Sequence, residues 1–65
     1  MDILIWQVRK KRNINLKSLS ELTGISKSTL NNIENGRTSP TLKQLELIAI
    51  ALNVRMGDLY SSKYK

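Results

Sequence analysis

The chain has 65 residues, 40% of them apolar, with no cysteine and no histidine. That length suits one domain, 1–65, near the lower limit for a core that folds without staples, and the composition excludes disulfides, thiolate metal sites and imidazole ligands or bases. Eleven Lys and Arg against five Asp and Glu leave a net charge of +6, which suggests an anionic partner, nucleic acid first and an anionic membrane second.

The start of the chain does not read as a targeting signal. Met1–Val8 is apolar, but Asp2 stands in it and neither a basic flank nor a small-residue cleavage site frames it. No run approaches the roughly 18 apolar residues of a membrane span, so a soluble, cytoplasmic protein is expected. Asn13-Ile14-Asn15, Thr23-Gly24-Ile25-Ser26, Asn35 through Pro40, and Asn53-Val54 divide the chain into five short segments of helical periodicity. The fold class is therefore all-α, with residues 61–65 as a frayed polar tail.

The first segment spans about Ile3 to Lys11, with Asp2 as its N-cap. Ile5, Val8, Arg9 and Arg12 share one face; Ile3 and Trp6 fall off it. The second starts after Asn15, whose side chain can accept from the free amides of the first turn, and ends at Gly24. Leu19, Ser20 and Thr23 form its inner face. The third starts after the N-cap Ser26, with Leu30, Ile33 and Glu34 inward and Lys27, Ser28, Asn31 and Asn32 outward. The fourth opens with a Thr41–Gln44 capping box and carries a core stripe of Leu42, Leu45, Ile48, Ala49 and Leu52. A short fifth segment near Met56 to Tyr60 closes the domain, with Leu59 able to plug the open end of the core.

The second and third segments carry the functional signal. Two short helices joined by Gly24-Ile25-Ser26 fit a helix-turn-helix, in which the second helix is held rigidly and shows its outer face. That face suits a major groove. Lys27 can donate to guanine O6 and N7, Asn31 and Asn32 can pair with adenine N6 and N7, and Ser28 and Thr29 can bond bases or phosphates. Between positions 9 and 37 there are seven cations, Lys17 and Arg37 among them, and only Glu21 and Glu34 as acids. A merely solvated helix face would not favour Asn-Asn in mid-helix, because Asn is a poor helix former.

These residues resemble the Cro and phage-repressor type of helix-turn-helix domain, the XRE family. The likeness covers Ile5 to Tyr60 and centres on GISKSTLNNIENGRTSP, residues 24–40, with Val8-Arg9, Ile14-Asn15, Leu19-Ser20-Glu21, Leu52-Asn53-Val54 and Leu59 around it. The resemblance implies a compact five-helix bundle of the lambda-repressor-like kind, with a recognition helix at about 27–34. It implies that Lys27, Ser28 and Asn32 contact bases, with Asn31 a less regular fourth, and that Asn15, Asn35 and Arg37 hold phosphates; Lys17 and Thr29 join them by charge and chemistry. It also implies a buried ion pair between Arg9 and Glu34, structural in role. Two departures stand out: Leu16 replaces a common Gln that touches DNA or buttresses the recognition helix, and Ser20 replaces a common Ala.

Apolar residues off the core stripes suggest a protein interface. Leu47, Ile50, Met56, Leu59 and Tyr60 are the candidate surface for a homodimer or a protein partner, and Ile3 and Trp6 are either buried or part of it. A dimer fits the reading of a palindrome by two recognition helices. The expectation is sequence-specific binding of double-stranded DNA by a transcriptional regulator, a repressor ahead of an activator. The alternative is a protein-interaction module on the same fold, such as an antitoxin or adaptor, which would use Trp6, Leu47 and Ile50 rather than the polar face of the third segment. No enzyme is expected: the five carboxylates are scattered and no nucleophile–base pairing or phosphate-binding glycine loop exists. No cofactor, metal, small-molecule ligand or membrane partner is foreseen, the last because the basic residues do not line one long amphipathic helix.

Overall fold

A computed structural model describes residues 1–65. Four α-helices, α1 (Ile5–Lys11), α2 (Leu16–Thr23), α3 (Lys27–Glu34) and α4 (Leu42–Leu52), are followed by a 3-10 helix, Met56–Leu59. The expected fifth helix is thus a single 3-10 turn, and the bundle has four α-helices rather than five. Two short strands frame them: β1 (Asp2–Ile3) and β2 (Tyr60–Ser61), paired antiparallel with Asp2 opposite Ser61 and Ile3 opposite Tyr60. No helix is long and apolar enough to cross a membrane.

The strand pair corrects the reading of the first segment. Asp2 is not an N-cap; it lies in β1, and α1 begins at Ile5 behind Leu4, with no side-chain cap. The Leu4 amide donates instead to the Leu59 carbonyl at 2.8 Å. The physical reason lies in Ile3. In a helix continuous with α1 it would turn away from the core, whereas extended backbone lets it pack against the core from the edge. Trp6 stays half-exposed, with the Lys10 ammonium 5.6 Å from its ring centre.

The core is a cluster of Ile5, Leu19, Leu30, Ile33, Leu45, Ile48, Ala49, Leu52 and Leu59. Each helix contributes one face, as the 3.6-residue period requires. Leu42, placed on the core stripe by its spacing, is 76% exposed. The first turn of α4 projects past the core, whose first α4 member is Leu45. Leu59 is fully buried, so it plugs the core and cannot serve as a dimer surface. Met56 is half-buried against the same cluster. Of the other candidates, Ile50 is 70% exposed, while Leu47 and Tyr60 are half-buried.

Three of the four helices end by one device. Asn13, Gly36 and Asn53 adopt φ of +58°, +74° and +57°. After each, the next amide donates back five residues: Ile14 to Arg9, Arg37 to Asn32 and Val54 to Ala49, at 2.9–3.0 Å. This closes the last carbonyls of α1, α3 and α4 and fixes where each following loop departs.

Candidate nucleic-acid interface

Three N-caps start α2, α3 and α4. Asn15 Oδ1 accepts from the Ser18 amide at 2.8 Å, Ser26 Oγ from the Thr29 amide at 3.1 Å, and Thr41 with Gln44 completes the capping box. Each meets an amide that the first helical turn cannot satisfy by itself.

The turn between α2 and α3 is clamped by side chains. Gly24 at φ +76° reverses the backbone. Ser20 Oγ then donates to the Ile25 carbonyl at 2.6 Å, and Thr23 Oγ1 accepts from the Ile25 amide at 3.1 Å while donating to the Leu19 carbonyl at 2.8 Å. Both peptide groups of Ile25 are thereby held by α2, and Ile25 itself packs on the core. The angle at which α3 leaves the turn is fixed by hydrogen bonds as well as by packing. In the sequence Ser20 was legible only as part of the inner face of the second segment. The clue to more was a hydroxyl where similar domains usually carry Ala.

A second tie holds α3 from the far side. Arg9 Nε donates to Glu34 Oε2 at 2.9 Å and Arg9 Nη2 to Glu34 Oε1 at 3.2 Å, with side chains only 9% and 6% exposed. Arg9 Nη1 also donates to the Ile14 carbonyl at 3.3 Å. The fork-to-fork geometry joins α1 to the C-terminal end of α3. It also removes Arg9 from the set of cations available to a partner.

The outer face of α3 presents Lys27, Ser28 and Asn31 exposed and Asn32 and Thr29 half-buried. Asn15, Lys17, Asn35 and Arg37 are exposed beside it in the chain. Most of the oxygen acceptors on these side chains are already used. Asn15 Oδ1 serves the cap, Asn31 Oδ1 accepts from Asn35 Nδ2 at 3.1 Å, and Asn32 Oδ1 accepts from Arg37 Nη1 at 3.3 Å. Thr29 Oγ1 accepts from Ser26 Oγ at 2.8 Å, which leaves its own proton free. What faces outward is therefore weighted toward N–H and O–H donors and ammonium charge.

The helix-turn-helix family model matches residues 7–59. The chain belongs to the helix-turn-helix family, of the Cro and phage-repressor (XRE) type. It is similar to the HTH-type transcriptional regulator SutR of Escherichia coli, at 46% identity over 94% of this chain and 34% of that protein. It is also similar to the ImmF control region 10 kDa protein of Bacillus phage phi105, at 36% identity over 91% of this chain and 66% of that protein. Among solved structures, the N-terminal DNA-binding domain of SinR from Bacillus subtilis superposes with a TM-score of 0.80 at 32% identity, covering 94% of this chain and 90% of that one. The chain thus spans about a third of SutR and under two thirds of the phage protein, but nearly all of the SinR domain. The helix-turn-helix proper is α2, the clamped Gly24-Ile25-Ser26 turn and α3, the unit that Ser20, Thr23 and the Arg9–Glu34 tie hold in place.

Proposed function

We propose that this helix-turn-helix chain binds double-stranded DNA with sequence specificity and regulates transcription, as a repressor, in the cytoplasm. α3 enters the major groove as the recognition helix. Lys27, Ser28, Asn31 and Asn32 meet base edges; Asn15, Lys17, Thr29, Asn35 and Arg37 meet phosphates. The observation that carries this reading is the donor-rich outer face of α3 on a helix capped, clamped and tied from behind. Phosphate oxygens and the guanine edge are acceptors, so a surface most of whose own side-chain oxygens already accept a hydrogen bond is matched to them. The net charge of +6 adds the sequence-independent attraction that such binding needs.

Two copies acting as a homodimer would place two recognition helices on a palindrome. Exposed Ile50, half-buried Leu47 one turn before it on α4, and half-buried Tyr60 are the residues for that contact.

Selection of sites from random duplex DNA tests the reading. One enriched motif is expected, with two-fold symmetry if the dimer forms on DNA, and Asn32→Ala should lose discrimination at one base step by roughly 1–3 kcal/mol. An unchanged motif with Asn32→Ala would overturn the base assignment. Enrichment of no site at low salt would instead favour a protein-interaction module. Light scattering with and without the selected duplex tests the dimer; a monomer in both conditions counts against it.

A further inference from the structure

We propose that Arg37 sets the base preference of the recognition helix by locking the Asn32 amide as a hydrogen-bond donor, so that Asn32 reads guanine rather than adenine. The inference rests on α3 reading the major groove as proposed above.

The geometry begins with the end of α3. Gly36 at φ +74° folds the chain back, and the Arg37 amide donates to the Asn32 carbonyl at 2.9 Å. The backbone of Arg37 is thereby fixed beside the residue its side chain touches. Arg37 Nη1 then donates to Asn32 Oδ1 at 3.3 Å. A guanidinium carries donors only, whereas an amide has one acceptor end and one donor end. The two orientations of the Asn32 amide are therefore not equivalent. Turned the other way, Nδ2 would meet the guanidinium donor to donor. With Oδ1 held, Nδ2 is the free end, and it makes no bond within the chain. No buried side-chain polar atom lacks a partner, so Nδ2 is open to solvent.

The consequence follows from the base edges. A free asparagine pairs with adenine through both atoms, Oδ1 accepting from N6 and Nδ2 donating to N7. Oδ1 keeps a second lone pair, but the adenine amino group would have to reach it beside the guanidinium, setting two donors on one oxygen and a cation against the positive hydrogens of N6. Guanine places N7 and O6 side by side, both acceptors, and asks nothing of Oδ1. The preceding asparagine is tied in the same sense, since Asn35 Nδ2 donates to Asn31 Oδ1 at 3.1 Å. Lys27, at the start of the helix, carries donors only. Arg37 is a positioning residue in this scheme; its remaining N–H groups stay available to a phosphate.

The test uses the intact chain as wild type, Asn32→Ala and Arg37→Ala, each taken through site selection and then titrated against duplexes varied at single positions. The step that loses its preference in Asn32→Ala is the one Asn32 reads. Guanine is expected there in the wild type, and Arg37→Ala should raise the adenine-to-guanine affinity ratio at that step by about fivefold or more, leaving other steps unchanged. A contact to phosphate alone predicts weaker binding with the same motif, and that outcome overturns the proposal. Adenine at that step in the wild type, or no step altered by Asn32→Ala, overturns it too while leaving DNA binding intact. If the wild type enriches no site, the DNA-binding reading fails and this inference fails with it.

Discussion

Asn15 has two jobs for one amide, and a substitution can separate them. Its Oδ1 caps α2 through the Ser18 amide, while its Nδ2 makes no bond within the chain and is proposed to hold a phosphate. Asn15→Asp keeps a capping oxygen and adds a charge that the N-terminal end of the helix favours. It removes the donor and sets a negative charge against the phosphate. Thermal melting should show Asn15→Asp at least as stable as wild type, with DNA affinity lower by roughly tenfold, the scale of one charge-assisted hydrogen bond. Asn15→Ala should lose about 1 kcal/mol of stability as well. If Asn15→Asp bound like wild type, no phosphate would sit there. The caps at Asn15, Ser26 and Thr41 were legible in the sequence because a cap and its amide lie within three residues of each other. The Asn32–Arg37 bond was not, although only five residues part them. Adenine pairing was the natural expectation for Asn32, and nothing in the residue order shows that its oxygen is engaged.

At the scale of elements, the angle between α2 and α3 is the quantity that matters, and Ser20 is a main determinant of it. Its hydroxyl is the side-chain partner of the half-buried Ile25 carbonyl. Ser20→Ala should therefore cost about 1 kcal/mol in denaturant unfolding, although Ala is common at this place in similar domains and is the better helix former. A stability gain on Ser20→Ala would show that the hydroxyl competes with the helix instead of clamping the turn. Helical spacing revealed α2 and α3 and their inner faces, because 3.6-residue periodicity over eight residues is a strong local signal. It failed at the start of the chain and at the start of α4. A two-residue strand shows no period, so β1 was visible only as a misfit: Ile3 lay off the face shared by Ile5 and Val8. Leu42 failed for a related reason. Periodicity reports which side of a helix is apolar, not how far along its axis the core extends.

For the whole molecule, the decisive question is what holds α3 against α1, since nine buried apolar residues are a small core and a core of this size rarely leaves more than about 3–5 kcal/mol of net stability. The Arg9–Glu34 pair spans that contact, nearly sealed from water. The two residues are 25 apart in the chain, and no local pattern joins them; only the family resemblance suggested the pairing. Removing one member of such a pair leaves a buried charge without its partner and costs about 3–5 kcal/mol, whereas replacing both by apolar residues of similar volume can be neutral or better. The two magnitudes are comparable, so Glu34→Ala should leave little folded protein at 37 °C, visible as loss of a cooperative melt by circular dichroism. Arg9→Met should do the same, because it strands the carboxylate of Glu34 and leaves the Ile14 carbonyl without its guanidinium donor. The double variant Arg9→Met/Glu34→Leu should recover a cooperative transition well above that of either single variant, short of the wild type by the roughly 1–3 kcal/mol of the Ile14 carbonyl left without its donor. Recovered folding with recovered DNA binding would make the pair a fastener alone. Recovered folding with a changed motif would mean that it also sets where α3 lies in the groove, since Glu34 closes the same helix that Asn32 and Arg37 terminate. A double variant as unstable as the singles would refute the account, because the cost would then come from lost packing volume rather than from a stranded charge.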